Sequence, residues 1–290
     1  MRTLSIKTKL LNSFRAIFKL GPLESMIRSA VSGKSPNSLF GKMVPNNYQY
    51  SEGSVREFDY FGIKLFVDIS DYIGHYLYFG FKDIGQDKLL SLAKEGMHVL
   101  DVGTNIGSTL LRFADKVGPS GKVIGFEPDS FNFKACEKNI SLNSFNNLEV
   151  YKFGLGAEEA QLKLKVDTES NRGGNRISTD IEAKGEMVPI RKLDNLVEEF
   201  RWTKLDLIKI DVEGFELKVI QGAKQTLKNF HPTLFIELDD QNLSEVGDTA
   251  KGLISYLNEL GYDKIRNAET NERVSAEDDF TGLHFDIIVE

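Results

Sequence analysis

The stretch "VLDVGTNIGSTLLRF", Val99–Phe113, decides the fold. It opens on a short apolar run ending in Asp101, turns through Gly103 and Gly107, and leaves as an apolar pattern at helical spacing. Strand, glycine turn and helix in that order is how open α/β sheets hold nucleotides, because free N–H groups at the helix start face the ligand. A dinucleotide fingerprint requires a second glycine two residues after the first, so that bare backbone can approach a pyrophosphate. Asn105 occupies that position, and Thr104 precedes it. The turn is therefore better suited to a nucleoside that carries no phosphates.

S-adenosylmethionine is such a ligand. Asp101 would lie near its ammonium, backbone N–H groups at the helix start would take its carboxylate, and Gly103, Thr104, Asn105 and Gly107 would form the turn around it. The next apolar run, "KVIGFEP", ends in Glu127 and Pro128, with Glu127 placed 20 residues after Gly107. A carboxylate at that spacing accepts hydrogen bonds from ribose hydroxyls.

From residue 97 onward, strand-like runs at 98–102, 123–127, 148–153, 205–211 and 233–238 alternate with helical patterns at 106–117, 129–143, 190–200 and 214–229. Several runs are apolar without alternation, as expected of strands buried on both faces. Such an alternation predicts a Rossmann-like, doubly wound α/β fold with a mostly parallel sheet. After a helix at 248–260, "YDKIRNA" and "HFDIIVE" predict an antiparallel C-terminal hairpin on the sheet edge. The expected organisation is a basic amphipathic helix and linker over 1–50, a β-hairpin and lid segment over 51–95, and a nucleoside-binding domain over 96–290.

The 290 residues carry a net charge of −7, 41% hydrophobic residues and one cysteine, Cys136. That composition excludes a disulfide framework within the chain and fits a reducing, cytoplasmic setting. The acidic balance argues against nucleic acid as a partner. The charge is uneven: residues 1–30 hold six basic residues and Glu24 alone, a balance of +5, which leaves −12 for the remainder. Leu10, Leu11, Phe14, Ile17 and Phe18 fall at helical spacing among Lys7, Arg15 and Lys19, so residues 1–20 predict a helix suited to peripheral membrane contact or to packing on the protein itself. No apolar run approaches the roughly 18–20 residues that span a bilayer, and the basic start lacks the apolar stretch of a signal peptide.

Together, "VLDVGTNIGSTLLRFADKVGPSGKVIGFEPDSFNFKACEKNISLN", "NLEVYKFGLGAEEAQLKL" (147–164) and above all "KIDVEGFELKVIQGA" (209–223) resemble the class I S-adenosylmethionine-dependent methyltransferases, and more narrowly their FkbM family. The resemblance covers about residues 95–265. It implies a Rossmann-like fold, S-adenosylmethionine as cofactor, and a small-molecule or glycan hydroxyl as acceptor. It also implies that Gly154 and Leu155, after Phe153, lie against the adenine.

The later strand ends supply the acids. Asp211 closes "LDLIKID" and is expected in the cleft near the methyl donor, with Glu213 and Gly214 opening the next helix. Glu237, Asp239 and Asp240 close "PTLFIELDD". Asp211, Glu237 and Asp239 are thus the candidate catalytic acids, since a sugar hydroxyl attacks well only as its proton is removed. Asp211, Asp239 and Asp240 form the candidate set for a Mg²⁺ ion, which favours oxygen ligands and lowers the pKa of a bound hydroxyl. "NRGGNRIS" (171–178) is expected near the mouth of the site, and Tyr72, His75 and Tyr76 in a lid. Three other functions compete: an NAD-dependent oxidoreductase, disfavoured by the missing glycine; a non-catalytic module that keeps the fold for binding; and methylation of protein or nucleic acid.

Overall fold

The computed structural model describes residues 5–290 other than 167, 169, 170 and 181. It divides into two compact units, the first running to Asp83 and taking in the described part of Thr168–Gly173, the second comprising Ile84–Asp167 and Gly174–Glu290.

In the first unit, helix α1 (Ile6–Arg15) starts at Ser5, whose hydroxyl accepts the Thr8 N–H, and continues through a short 3₁₀ turn into α2 (Gly21–Val31), which has proline in its first turn. Residues 1–4 of the expected amphipathic helix lie outside the described residues. Strands β1 (Val55–Tyr60) and β2 (Ile63–Asp68) pair antiparallel, which is the hairpin expected at 56–70, and a two-residue turn at Phe61–Gly62 joins them. Helix α3 (Tyr72–Phe79) is capped by the Asp71 carboxylate, which accepts the N–H groups of Ile73 and Gly74. His75 is buried on α3 against Phe79 and Phe81, and its Nε2 lies 2.7 Å from the Pro45 carbonyl oxygen. Burial pulls its pKa down to about 4, so the ring is neutral.

The second unit is a doubly wound α/β architecture. After α4 (Ile84–Leu92) come β3 (His98–Val102), α5 (Ser108–Val117), β4 (Lys122–Phe126), α6 (Ser130–Ser141) and β5 (Leu148–Tyr151). The amphipathic α5 buries Leu110, Leu111, Phe113, Ala114 and Val117. Helix α6 starts at Asp129, whose side chain accepts two N–H groups of the first turn. An insertion then forms a small separate sheet from β6 (Gly154–Leu155), β7 (Ala160–Lys165), β8 (Arg176–Ser178) and β9 (Glu186–Arg191), in the order β6-β9-β7-β8. The chain returns through α7 (Leu193–Glu199) to β10 (Leu207–Ile210). The helix expected over 214–229 is broken at Ala223 into α8 (Glu216–Gly222) and α9 (Lys224–Phe230), and α9 is held to α7 by Asp194, which accepts the Thr226 N–H and hydroxyl. β11 (Thr233–Asp239), α10 (Asp240–Ser244), α11 (Ala250–Glu259), β12 (Ile265–Asn267) and β13 (His284–Val289) complete the unit.

The seven-stranded sheet has the order β12-β13-β11-β10-β3-β4-β5. From β10 to β5 all pairings are parallel, whereas β13 runs antiparallel to both β11 and β12, as expected for the C-terminal hairpin. The chain winds outward from β3 to β5, then resumes on the other side of β3 with β10. That reversal between β3 and β10 is the switch point at which open α/β sheets bind ligands, outside the carboxyl ends of the strands. No helix among the described residues is long and apolar enough to cross a membrane.

Candidate active site

The β3–α5 turn lies at the switch point. Its tight shape depends on Gly103, with φ +81°, where a Cβ would lie 1.8 Å from the Asp211 carbonyl oxygen. The clash is with backbone, so the ends of β3 and β10 can meet only across a glycine. Gly103→Ala is expected to cost at least about 2 kcal/mol, from positive φ and overpacking together. Thermal unfolding checks this, and a melting temperature equal to wild type would mean that the turn relaxes freely.

The Thr104 and Asn105 side chains turn into the loop. The Thr104 hydroxyl is buried and donates to the Asp101 carbonyl oxygen (2.8 Å), while the Asn105 amide oxygen accepts the adjacent Ile106 N–H (2.7 Å). Both side chains bond within the turn, Asn105 in the left-handed conformation at φ +53°. Gly107 begins α5 against Cys136, whose sulfur would lie 2.6 Å from an added Cβ. Cys136 is buried there, and burial pushes its thiol far above the ordinary range, so it is inert packing.

Glu127, at the end of β4, is buried beside this turn. Its two oxygens accept the Asn105 N–H (2.7 Å) and the Asp129 N–H (2.9 Å), one each. A carboxylate has about four lone-pair sites, so acceptor capacity remains for ligand hydroxyls. Burial raises its pKa to about 7. Pro128 faces Gly154, 3.7 Å from the position of an added Cβ. Leu155 packs into the main core with Phe126, so only its main chain can face a ligand.

The sequence reading missed Lys209. It sits in the middle of β10, paired in register with Asp101 of β3, so both side chains leave the sheet on the same face. Asp211, two residues further on, shares that face. The ammonium lies 3.4 Å from Asp101 Oδ1 and 3.1 Å from Asp211 Oδ2, and donates to the Gly103 carbonyl (2.9 Å). Burial alone would lower the lysine pKa, but Asp211 and Asp101 hold it above the ordinary range. Asp101 has no exposed surface, and burial raises its pKa to about 6. Asp101 lies beneath the turn with Lys209 as its nearest cation, and neither of its buried oxygens has a hydrogen-bond partner among the described residues.

Beyond β10 lies an acidic group. Carboxylate oxygens of Asp211, Glu213 and Glu237 come within 4.8 Å of one another. Glu213 adopts a left-handed φ of +54° and accepts the Asn242 amide (2.8 Å). Glu237 presents one oxygen to His284 Nε2 at 3.1 Å, while its other oxygen is buried without a hydrogen-bond partner. Burial and mutual repulsion push both glutamates well above the ordinary carboxylate range. Glu216, under the same loop, accepts the N–H groups of Val212 and Gly214 and is a structural acid.

The set Asp211, Asp239 and Asp240 expected to hold Mg²⁺ is not brought together. Asp239 caps α10 by accepting the Gln241 and Asn242 N–H groups and meets His284 Nδ1 at 3.2 Å. Asp240 accepts the Ala250 N–H (2.7 Å). Residues at a strand end alternate faces, and the second acid already belongs to the next helix. Asp239 thus meets His284 and stands apart from the group of Asp211, Glu213 and Glu237. The cations around the acidic group are Lys209, Arg176 and His284. Arg176, within the "NRGGNRIS" stretch, also bonds Glu245 (2.6 Å).

His284 is the second residue missed by the sequence reading. It opens β13, whose antiparallel register sets it opposite Asp239, so its ring reaches both Asp239 and Glu237. The hydrogen bond to Glu237 raises its pKa to about 9, which keeps it protonated at neutral pH.

Residues 101–264 match the family described as the methyltransferase FkbM domain. Methyltransferase 1 of Beauveria bassiana is 27% identical over 196 residues, covering 60% of this chain and 77% of that protein. The 2-O-methyltransferase NoeI of Sinorhizobium fredii is 26% identical over 177 residues, 53% of this chain and 68% of its own. The hexuronic acid methyltransferase AglP of Haloferax volcanii is 29% identical over 143 residues, 49% of this chain and 56% of its own.

Proposed function

Because the chain belongs to the FkbM methyltransferase family, we propose that it is an S-adenosylmethionine-dependent O-methyltransferase acting on a hydroxyl of a sugar, a glycan or a related small molecule. The cofactor would supply the methyl group as an electrophilic carbon on a sulfonium sulfur. The residues at the switch point fit it. Gly103 and Gly107 keep the turn close and bare, Glu127 has lone pairs to spare for ribose hydroxyls, and Pro128 and Gly154 form a small apolar facing pair. The N-terminus of α5 offers N–H groups for a carboxylate.

One observation carries the chemistry: Glu237 has a buried, unpartnered oxygen beside Asp211 and Glu213, and its proton affinity is raised toward neutrality. A general base works best with a pKa near the working pH. In this reading Glu237 would accept the hydroxyl proton while the acceptor oxygen took the methyl group and the carbon–sulfur bond of the cofactor broke, releasing a neutral thioether. His284, held by Asp239, keeps the other Glu237 oxygen fixed. Asp211 and Glu213, beside it, would hold neighbouring hydroxyls of the acceptor. The names of two relatives support this reading, one naming a hexuronic acid as the acceptor and the other naming O-methylation.

The test is methyl transfer from isotope-labelled S-adenosylmethionine to a panel of monosaccharides, uronic acids and oligosaccharides. Label recovered as a base-stable methyl ether on one of them is the expected result. Label on protein carboxylates or on amines alone would refute the acceptor class.

A further inference from the structure

Helix α1 is turned the opposite way from an ordinary surface helix. The side that faces its own unit is polar: the Asn12 amide donates to the Tyr48 hydroxyl (3.2 Å), the Asn12 carbonyl accepts from Gln49, Arg15 donates to the Lys42 carbonyl (2.7 Å), and Lys19 donates to the Gln49 carbonyl. Phe18 alone of the large apolar residues is buried there. Ile6, Leu10, Phe14, Ile17 and Leu20 recur every three or four residues, form one stripe, and are 49–79% exposed. A surface helix normally buries such a stripe. Here polar anchors fix the helix so that the stripe faces outward. The neighbouring loop adds exposed Leu39 and Phe40, the latter with the Lys34 ammonium 5.1 Å above its ring.

The charge around the stripe is of one sign. Residues 1–50 hold eight lysines and arginines against Glu24 alone, while the 240 residues that follow hold 28 basic and 42 acidic ones. Glu24 is itself taken up by Arg56, at 2.7 Å. Lys9, Lys19, Lys34 and Lys42 are exposed. An outward apolar stripe among lysines is the pattern that settles into the headgroup region of an anionic bilayer. The negative potential of such a surface attracts this basic segment.

We propose that the stripe along α1 and the 3₁₀ turn after it, Ile6, Leu10, Phe14, Ile17 and Leu20, is a docking surface for an anionic lipid membrane. The contact is peripheral, and it is independent of the methyl-transfer reading.

Flotation of the full chain with vesicles tests it, comparing phosphatidylcholine alone with phosphatidylcholine mixed with phosphatidylglycerol. The protein is expected to float with the mixed vesicles, to float at least about tenfold less with neutral ones, and to be released by high salt. The double variant Leu10→Glu, Ile17→Glu should lose flotation, with its circular dichroism spectrum unchanged because both side chains are exposed. Failure of the wild type to float with anionic vesicles would overturn the proposal, as would equal flotation of the double variant. Sedimentation equilibrium supplies a further arm: a dimer that Leu10→Glu dissociates would assign the stripe to a second copy of the chain and overturn the membrane assignment.

Discussion

Lys209→Met is expected to cost the fold about 3–5 kcal/mol, the usual penalty for removing one partner of a buried ion pair. Lys209 is almost wholly enclosed, and its ammonium stands between Asp101 and Asp211 while donating to the Gly103 carbonyl. Without it, Asp101 keeps a buried carboxylate with no cation, and the ends of β3 and β10 lose their shared donor. Asp101 escapes by taking up a proton, so adding Asp101→Asn to Lys209→Met should recover part of the loss. Asp211, nearly half exposed, is rehydrated and contributes less. Urea unfolding of the two single variants and the double variant closes the cycle. A single variant within 1 kcal/mol of wild type would mean that the triad is incidental, on the ordinary scale of exposed pairs, ~1 kcal/mol or less.

The second large effect concerns turnover. Glu237→Gln is expected to lower kcat by about 10²–10⁴-fold, the range assigned to general acid–base catalysis, with little change in cofactor affinity. Glutamine keeps the shape and can still bond His284, but it cannot take a proton. The pH profile gives the sign. The base acts deprotonated, and burial with neighbouring Asp211 raises the proton affinity of Glu237. Wild-type kcat should therefore rise with pH near neutrality, well above the range of an ordinary glutamate. A falling limb should follow near pH 9, where His284 loses its proton and its grip on Glu237. His284→Gln should remove the falling limb while keeping the rising one. Equal losses of kcat and cofactor affinity in Glu237→Gln would instead mark Glu237 as part of the cofactor pocket.

These two residues also show how far the chain could be read in advance. The strand-turn-helix of Val99–Phe113, the spacing of Glu127 and the position of Asp211 are local patterns, and each lands at the carboxyl edge of the sheet. Lys209 was hidden because "DLIKI" scans as a buried apolar strand. Only the pairing of β10 with β3 shows that its one charged side chain meets Asp101. His284 was hidden because it belongs to an antiparallel strand far along the chain, and register with Asp239 brings it to the site. Asp239 and Asp240 misled for the converse reason. Adjacent acids look like one cluster in sequence, yet one caps α10 and the other ties down the start of α11. Thr104 and Asn105 were assigned to the ligand by position alone, whereas hydrogen bonds turn both into the loop. The small sheet of β6–β9 was seen only in part, because its strands are short and polar on one side.

The central claim is that the turn at Gly103–Gly107, with Glu127 beside it, holds an S-adenosyl cofactor. Calorimetric titration with S-adenosylhomocysteine, on wild type and on Glu127→Ala, tests it most directly. The account predicts binding by the wild type and at least about tenfold weaker binding by the variant, since a lost charged hydrogen bond to ligand hydroxyls is worth about 1.5–3 kcal/mol. Absence of binding to a folded wild type, or equal binding by Glu127→Ala, would contradict it.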